Sequence, residues 1–206
     1  MEQVTAAISK TWLEAGNRRF VTGETARKDL GEERRKALLH QGQNPYAIIV
    51  GCSDSRVPPE IIFDGALGDF FVIRSAGNIV DDIAVGSIEY AVEHLNVPLV
   101  VILGHESCGA IKSAVLAFKA DIPLTPGIAA IVEKIRPAVE KAIKKARDSE
   151  DPLYSLVELA ADENIKRVKE ELMEGSSVVA RFAEKGRLMV IEAKYYLESG
   201  EVRFLE

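Results

Sequence analysis

The sequence predicts an α/β fold: a central, mostly parallel sheet of about four strands with a C-terminal hairpin edge strand, flanked by helices and preceded by an N-terminal helical arm. Three observations support this. The aliphatic runs ending at Gly51 and Gly104 have the continuous apolar character of strands buried on both faces. Segments of helical periodicity separate the strands, an alternation that builds parallel sheets through crossover helices. A length of 206 residues suits one domain with a sizeable core. It divides into a helical arm over 1–40, a central core over 41–118, a helical segment over 119–175 and a closing helix, strand and hairpin over 176–206.

In chain order, Ile8, Trp12, Leu13 and Phe20 fall at helical spacing over 5–20 and predict an amphipathic helix that lies against another surface, such as a second subunit. Glu32 to His40 predicts a short helix, ended by Gly42-Gln43-Asn44-Pro45. The first strand is expected over 46–51, a short helix over Glu60 to Phe63, a turn over Gly65 to Asp69 and a second strand over Phe70 to Arg74. A helix from Asp82 to Leu95 carries Asp81 and Asp82 at its positive end. The third strand is Leu99 to Leu103, followed by a loop over 104–109 and a helix to Lys119. Thr125-Pro126 opens a helix to about Arg147, with Pro137 expected to kink it. Asp151-Pro152 opens another to Glu174, and Ser176 caps a short one ending at Gly186. Leu188 to Ala193 is read as a fourth strand, with Tyr195–Leu197 and Val202–Leu205 as a separate hairpin. The charges over 133–174 read as solvated helix faces. The 119–175 segment itself is either a surface excursion or an interface element.

Composition narrows the function classes. A net charge of −6 argues against nucleic-acid binding, which favours a basic face. No run approaches a membrane span, and residues 1–16 lack a signal-type apolar stretch, so a cytoplasmic location is expected. Of two cysteines, the blandest use is as small buried hydrophobes. In a reducing compartment, metal binding or chemistry is otherwise a better use for them than a disulfide.

Their positions favour chemistry. Cys52 and Asp54 leave one strand end, and His105 and Cys108 leave another, where open α/β sheets bind ligands. Cys52, His105 and Cys108 can converge as a three-ligand zinc site with one position open, the pattern of catalytic rather than structural zinc. The other histidines, His40 and His94, read as ordinary helix residues. Arg56, two residues after Asp54, would hold that carboxylate ionised and oriented.

Cys52-Ser53-Asp54-Ser55-Arg56 and His105-Glu106-Ser107-Cys108-Gly109 resemble the two signature motifs of the β-class carbonic anhydrases. The likeness extends to Leu13–Phe20, Phe71–Asn78, Ile88–Val92 and the Tyr195–Leu205 hairpin, and so covers nearly the whole chain. It implies one Zn²⁺ per chain on Cys52, His105 and Cys108, with Asp54 and Arg56 catalytic. It implies reversible hydration of carbon dioxide to bicarbonate and a proton by attack of zinc-bound hydroxide. It further implies a homodimer or higher homo-oligomer with the site near the subunit interface. By the same resemblance Gln43 hydrogen-bonds a substrate oxygen, while Phe71, Ala76 and Tyr90 line a small apolar pocket. The Gly109 N–H faces the site. Gln43 resembles the plant-like, open-site group, in which the aspartate stays off the metal.

Two thiolates neutralise the charge of Zn²⁺, so activity is expected to rise toward alkaline pH. Two residues depart from the commoner pattern. Ser75 stands where Asn is usual and leaves open how its loop is pinned. Glu106 adds negative charge that would raise the pKa of bound water or assist proton export. The alternatives are a carbon disulfide or carbonyl sulfide hydrolase on the same scaffold, a non-catalytic zinc-binding regulatory protein, and a redox sensor using Cys52 and Cys108.

Overall fold

The computed structural model describes residues 4–120, 122–146 and 152–205. The expected cap at Asp151 and helix end at Arg147 lie outside the described residues. The helices are α1 (Ala6–Thr22), α2 (Glu32–Gln41), α3 (Pro59–Ile62), α4 (Asp82–His94), α5 (Gly109–Lys119), α6 (Pro126–Lys145), α7 (Pro152–Gly175) and α8 (Ser177–Glu184). The strands are β1 (Ala47–Cys52), β2 (Phe70–Ser75), β3 (Leu99–His105), β4 (Met189–Tyr195) and β5 (Val202–Leu205).

They form one sheet in the order β2-β1-β3-β4-β5. β1 pairs in parallel with β2 and β3, β3 pairs in parallel with β4, and β5 alone is antiparallel. β1 and β3 are buried at every position, as their uninterrupted apolar runs require. Alternate residues serve opposite layers. Ile48, Val50, Val100 and Ile102 pack on Ile88 and Val92 of α4, Ile165 of α7 and Val179 of α8. Ala47, Ile49, Val101 and Leu103 pack on Leu13 of α1, Ile62 of α3 and Phe63. Burying each such Ile or Leu is worth about 1.5–3 kcal/mol.

The expectations for the fourth strand and for the 119–175 segment change. The fourth strand and the closing hairpin are one continuous unit, because β4 runs on through Lys194 and Tyr195 and pairs directly with β5. Lys194 interrupts the apolar pattern, yet its side chain is only 4% exposed and its charge is met by Glu158 and Asp162. Helix α1 lies on its own chain: Leu13 and Asn17 are buried, and an added Cβ at Gly16 would come within 2.0 Å of the Phe63 carbonyl oxygen. Within the 119–175 segment, α6 and α7 belong to the core and are not a surface excursion. α6 and α7 pack on α5 and enclose Cys52 and Cys108 in an apolar cluster with Ile111, Ile135, Val139 and Val157. α6 is helical on both sides of Pro137, and Pro126 starts it without a backbone N–H donating to the Thr125 side chain.

Asp64 joins the arm to the core. Its φ of 50° is left-handed, and its 2%-exposed carboxylate pairs with Arg19 and with Lys28 at 2.7 Å. Burial pushes its pKa up, but the hydrogen bonds from Lys28, Arg19 and the Ala26 N–H outweigh it, and the net shift is downward. Asp64→Asn keeps the shape and the tolerance for positive φ but leaves two cations facing a neutral group. A loss of about 2 kcal/mol at pH 7 is expected in urea denaturation, discounted because Arg19 is part-exposed. A carboxylate with a depressed folded pKa stabilises above its unfolded pKa of roughly 3.9 and loses that contribution as pH falls through the folded value. The gap between wild type and variant should therefore narrow on acidification below roughly pH 4.

Candidate metal centre

From β1 the chain passes to β2 on one side and then to β3 on the other. The connections leaving β1 and β3 diverge, which opens a crevice at their carboxyl ends. Cys52 closes β1, His105 closes β3, and Cys108 precedes the first turn of α5. One ligand atom from each lies within 4.8 Å of the others, and the two sulfurs are 4.0 Å apart. Ligands at tetrahedral zinc distances stand roughly 3.3–3.8 Å from each other, so a small contraction would close the cluster. His105 Nδ1 bonds to the Glu106 carbonyl oxygen at 2.8 Å, which sets Nδ1 as the protonated nitrogen. Nε2, buried and without a hydrogen-bond partner, then presents a lone pair to the cluster. A metal ion would satisfy that atom, and the residues present fit one.

The thiols differ sharply. Cys52 is held down to about 4 by its hydrogen bond with Cys108, against burial, with further help from His105 and the Asp54 and Gly77 backbone. Cys108 is pushed up by that same hydrogen bond, by burial and by the charge on Cys52, while the Ile111 and Ala110 N–H groups at the start of α5 oppose the rise. Those two amides act on the sulfur.

Asp54 stands beside the cluster, with Oδ2 3.9 Å from His105 Nε2. Oδ1 accepts from the Arg56 N–H and Nε, each at 2.9 Å, and Oδ2 accepts from Nη2 at 2.7 Å. The Arg56 side chain thereby holds Asp54 well below the usual carboxylate range, against burial. Arg74 supports the same loop, donating to the Cys52 and Asp54 carbonyl oxygens at 2.8 and 2.6 Å. The sequence placed Arg74 at the end of the second strand and within the Phe71–Asn78 likeness but gave it no role, and its place two residues before the Ala76-Gly77-Asn78 turn was the available signal.

The loop after β2 is pinned by Ser75, whose hydroxyl donates to the Ile79 carbonyl oxygen at 2.6 Å, and by Asn164 donating to that of Gly77 at 2.9 Å. Gly77 takes φ 72° and gives its N–H to Cys52 Sγ at 3.4 Å. Ala76 lies in this turn, immediately before Gly77.

Gln43, Phe71 and Tyr90 are not brought to this point within one chain. Gln43 is exposed ahead of β1, and that strand spans roughly 17 Å before Cys52 is reached. Phe71 pairs with Ile48, four positions short of the Cys52–Ser75 pair, or roughly 13 Å away. Tyr90 sits against Phe71, with ring centroids 6.4 Å apart, and is 49% exposed. Glu106 is also turned aside, since its carboxylate accepts from the Tyr154 hydroxyl and the Leu197 N–H at 2.8 and 2.9 Å.

Comparison with known proteins agrees with this geometry. The carbonic anhydrase family model matches residues 47–202. A carbonic anhydrase of Mycolicibacterium smegmatis is 38% identical over 191 residues, covering 92% of this chain and 88% of that protein. The β-carbonic anhydrase CafA of Aspergillus fumigatus superposes with a TM-score of 0.74 at 28% identity, over 93% of this chain and 88% of that one. One of two tetrameric β-carbonic anhydrases from Sordaria macrospora gives 0.73 at 26%, over 97% and 94%. With the cysteine–histidine cluster at the sheet's switch point and relatives aligned along nearly its whole length, the chain belongs to the β-carbonic anhydrase family.

Proposed function

We propose that this protein catalyses the reversible hydration of carbon dioxide to bicarbonate and a proton, as a cytoplasmic homo-oligomer holding one Zn²⁺ per chain. The observation that carries the reading is the buried Cys52–His105–Cys108 cluster with a free His105 Nε2 beside an Arg56-held Asp54. Thiolate and imidazole donors suit zinc, and three protein ligands leave a fourth position for reaction. Zinc, when bound there, supplies the Lewis acidity that makes water a nucleophile near neutral pH.

The chain's own residues then direct the reaction. Asp54 Oδ2 accepts a hydrogen bond from the reacting water and turns its lone pair toward carbon dioxide. Arg56 keeps that carboxylate ionised and stationary, and the Arg74 contacts hold the loop carrying both. Because both Asp54 oxygens are engaged by Arg56, the open-site, plant-like arrangement is the form we assign. A reducing compartment keeps two sulfurs this close available as ligands. Stopped-flow carbon dioxide hydration on zinc-quantified protein, over roughly pH 6.5–9, tests the reading. Absence of activity with one zinc per chain would sink it.

Assembly completes the pocket in this reading. Gln43, Phe71 and Tyr90 lie away from their own chain's cluster and are exposed or half-exposed, which suits contribution to the site of a second copy. Co-expression of Asp54→Ala with Gln43→Ala checks this. Each variant alone is expected to lose activity, whereas a mixed dimer carries one intact site. Random mixing should then recover about a quarter of wild-type activity. No recovery in verified mixed dimers would place all the groups in one chain.

A further inference from the structure

The loop from His105 to Cys108 carries a ligand at each end, and its middle is held in a costly conformation. Ser107 has φ 53°, a left-handed geometry that a non-glycine residue keeps only when its surroundings impose it. Its N–H donates to Glu158 Oε1 at 2.8 Å. Its carbonyl oxygen accepts from Arg56 Nη2 at 3.4 Å. The same Nη2 donates to Asp54 Oδ2 at 2.7 Å. Glu158 Oε2 pairs with the buried Lys194 at 2.8 Å, and Lys194 pairs with Asp162 at 2.7 Å. Lys194 lies opposite Gly104, immediately before the ligand His105.

Tyr154, Glu158 and Asp162 recur every fourth residue and so share one face of α7. That face grips the metal loop twice, through Tyr154 on Glu106 and Glu158 on Ser107. A buried lysine with two carboxylates is an expensive device for stability alone, since burying charge costs much of what pairing returns. Here it anchors the carboxylate that accepts from the Ser107 N–H.

The geometry points to Glu158 as a positioning residue for the reaction: anchored by Lys194, it sets the Ser107 peptide, which in turn sets Arg56 and hence Asp54. This inference rests on the carbon dioxide hydration reading. Glu158 touches neither substrate nor metal and acts only through its neighbours.

The test uses full-length, zinc-quantified protein. Glu158→Ala is expected to lower kcat about tenfold with KM little changed, the scale seen for partners one shell removed from a metal site. Glu158→Gln, whose amide oxygen can still accept from Ser107, should recover most of that loss. Zinc release to a chelator, which requires no turnover, should be faster in Glu158→Ala than in Glu158→Gln. The discriminating measurement is a double-mutant cycle with Arg56→Ala. If Glu158 works through Arg56, its removal costs kcat little more once Arg56 is gone. Equal losses in both backgrounds, or wild-type kcat and zinc release in folded Glu158→Ala, would overturn the proposal. An inactive zinc-loaded wild type would instead strike the reading beneath it, and faster zinc release in Glu158→Ala would still support the loop-holding role.

Discussion

Asp54→Ala is expected to reduce kcat for carbon dioxide hydration by about 10²–10³-fold, with zinc content unchanged. The separation of the two readouts follows from geometry. The ligand cluster consists of Cys52, His105 and Cys108, and both Asp54 oxygens are already occupied by Arg56. Removing the carboxylate takes no donor from the metal. What is lost, on the proposed mechanism, is the carboxylate beside the cluster that would orient the reacting water, so kcat and kcat/KM should fall together. Asp54→Asn sharpens the result. Its amide oxygen can still accept from the Arg56 N–H, which preserves the local turn, but its NH₂ faces the Arg56 guanidinium and cannot accept there. An Asp54→Asn protein as impaired as the alanine variant would assign the effect to the charge and its acceptor geometry. Wild-type kcat in a zinc-loaded Asp54→Ala protein would remove Asp54 from the mechanism.

The ligand cluster was legible in the sequence because two of its donors close strands and the third follows His105 by three residues. β1 and β3 announce themselves through aliphatic runs, and Cys52 and His105 close them. Legibility failed where a residue's meaning depends on distant partners. Lys194 looked like the end of a strand, because one charge in an apolar run has no reading until Glu158 and Asp162 arrive from α7. Glu106 looked like a charge near the metal, because its partners Tyr154 and Leu197 stand 48 and 91 positions away. Phe71 was grouped by resemblance with a site from which the strand register separates it within one chain. Local patterns reveal strands and capping, whereas tertiary pairing decides what a buried charge is for.

Asn17→Ala is expected to destabilise the fold by about 2–4 kcal/mol without altering the metal site. Asn17 is a polar residue on the buried face of α1, 7% exposed, and its side-chain hydrogen bonds all reach other elements. Its Nδ2 donates to the Ile62 carbonyl oxygen at 3.0 Å and to that of Gly200 at 2.9 Å. Its Oδ1 accepts from the Val202 N–H at 2.8 Å. One amide thus fastens the arm to α3 and to the turn joining β4 and β5. Truncation leaves two carbonyls and one amide N–H without partners beneath a helix, and each unmet buried group costs about 1–3 kcal/mol less whatever water can enter to satisfy. Asn17→Asp supplies a control: it keeps the acceptor for Val202, loses the donor to both carbonyls, and adds a charge against them. Its loss should match or exceed that of alanine. For a chain of this size a 2–4 kcal/mol loss lowers the thermal midpoint by roughly 4–16 °C at fixed protein concentration. The metal cluster is enclosed by α5, α6 and α7, whereas α1 packs in a separate cluster with Ile49, Ile62 and Phe63. Zinc stoichiometry and kcat at low temperature should therefore be retained, and a midpoint within a degree of wild type would show that α1 is fastened elsewhere.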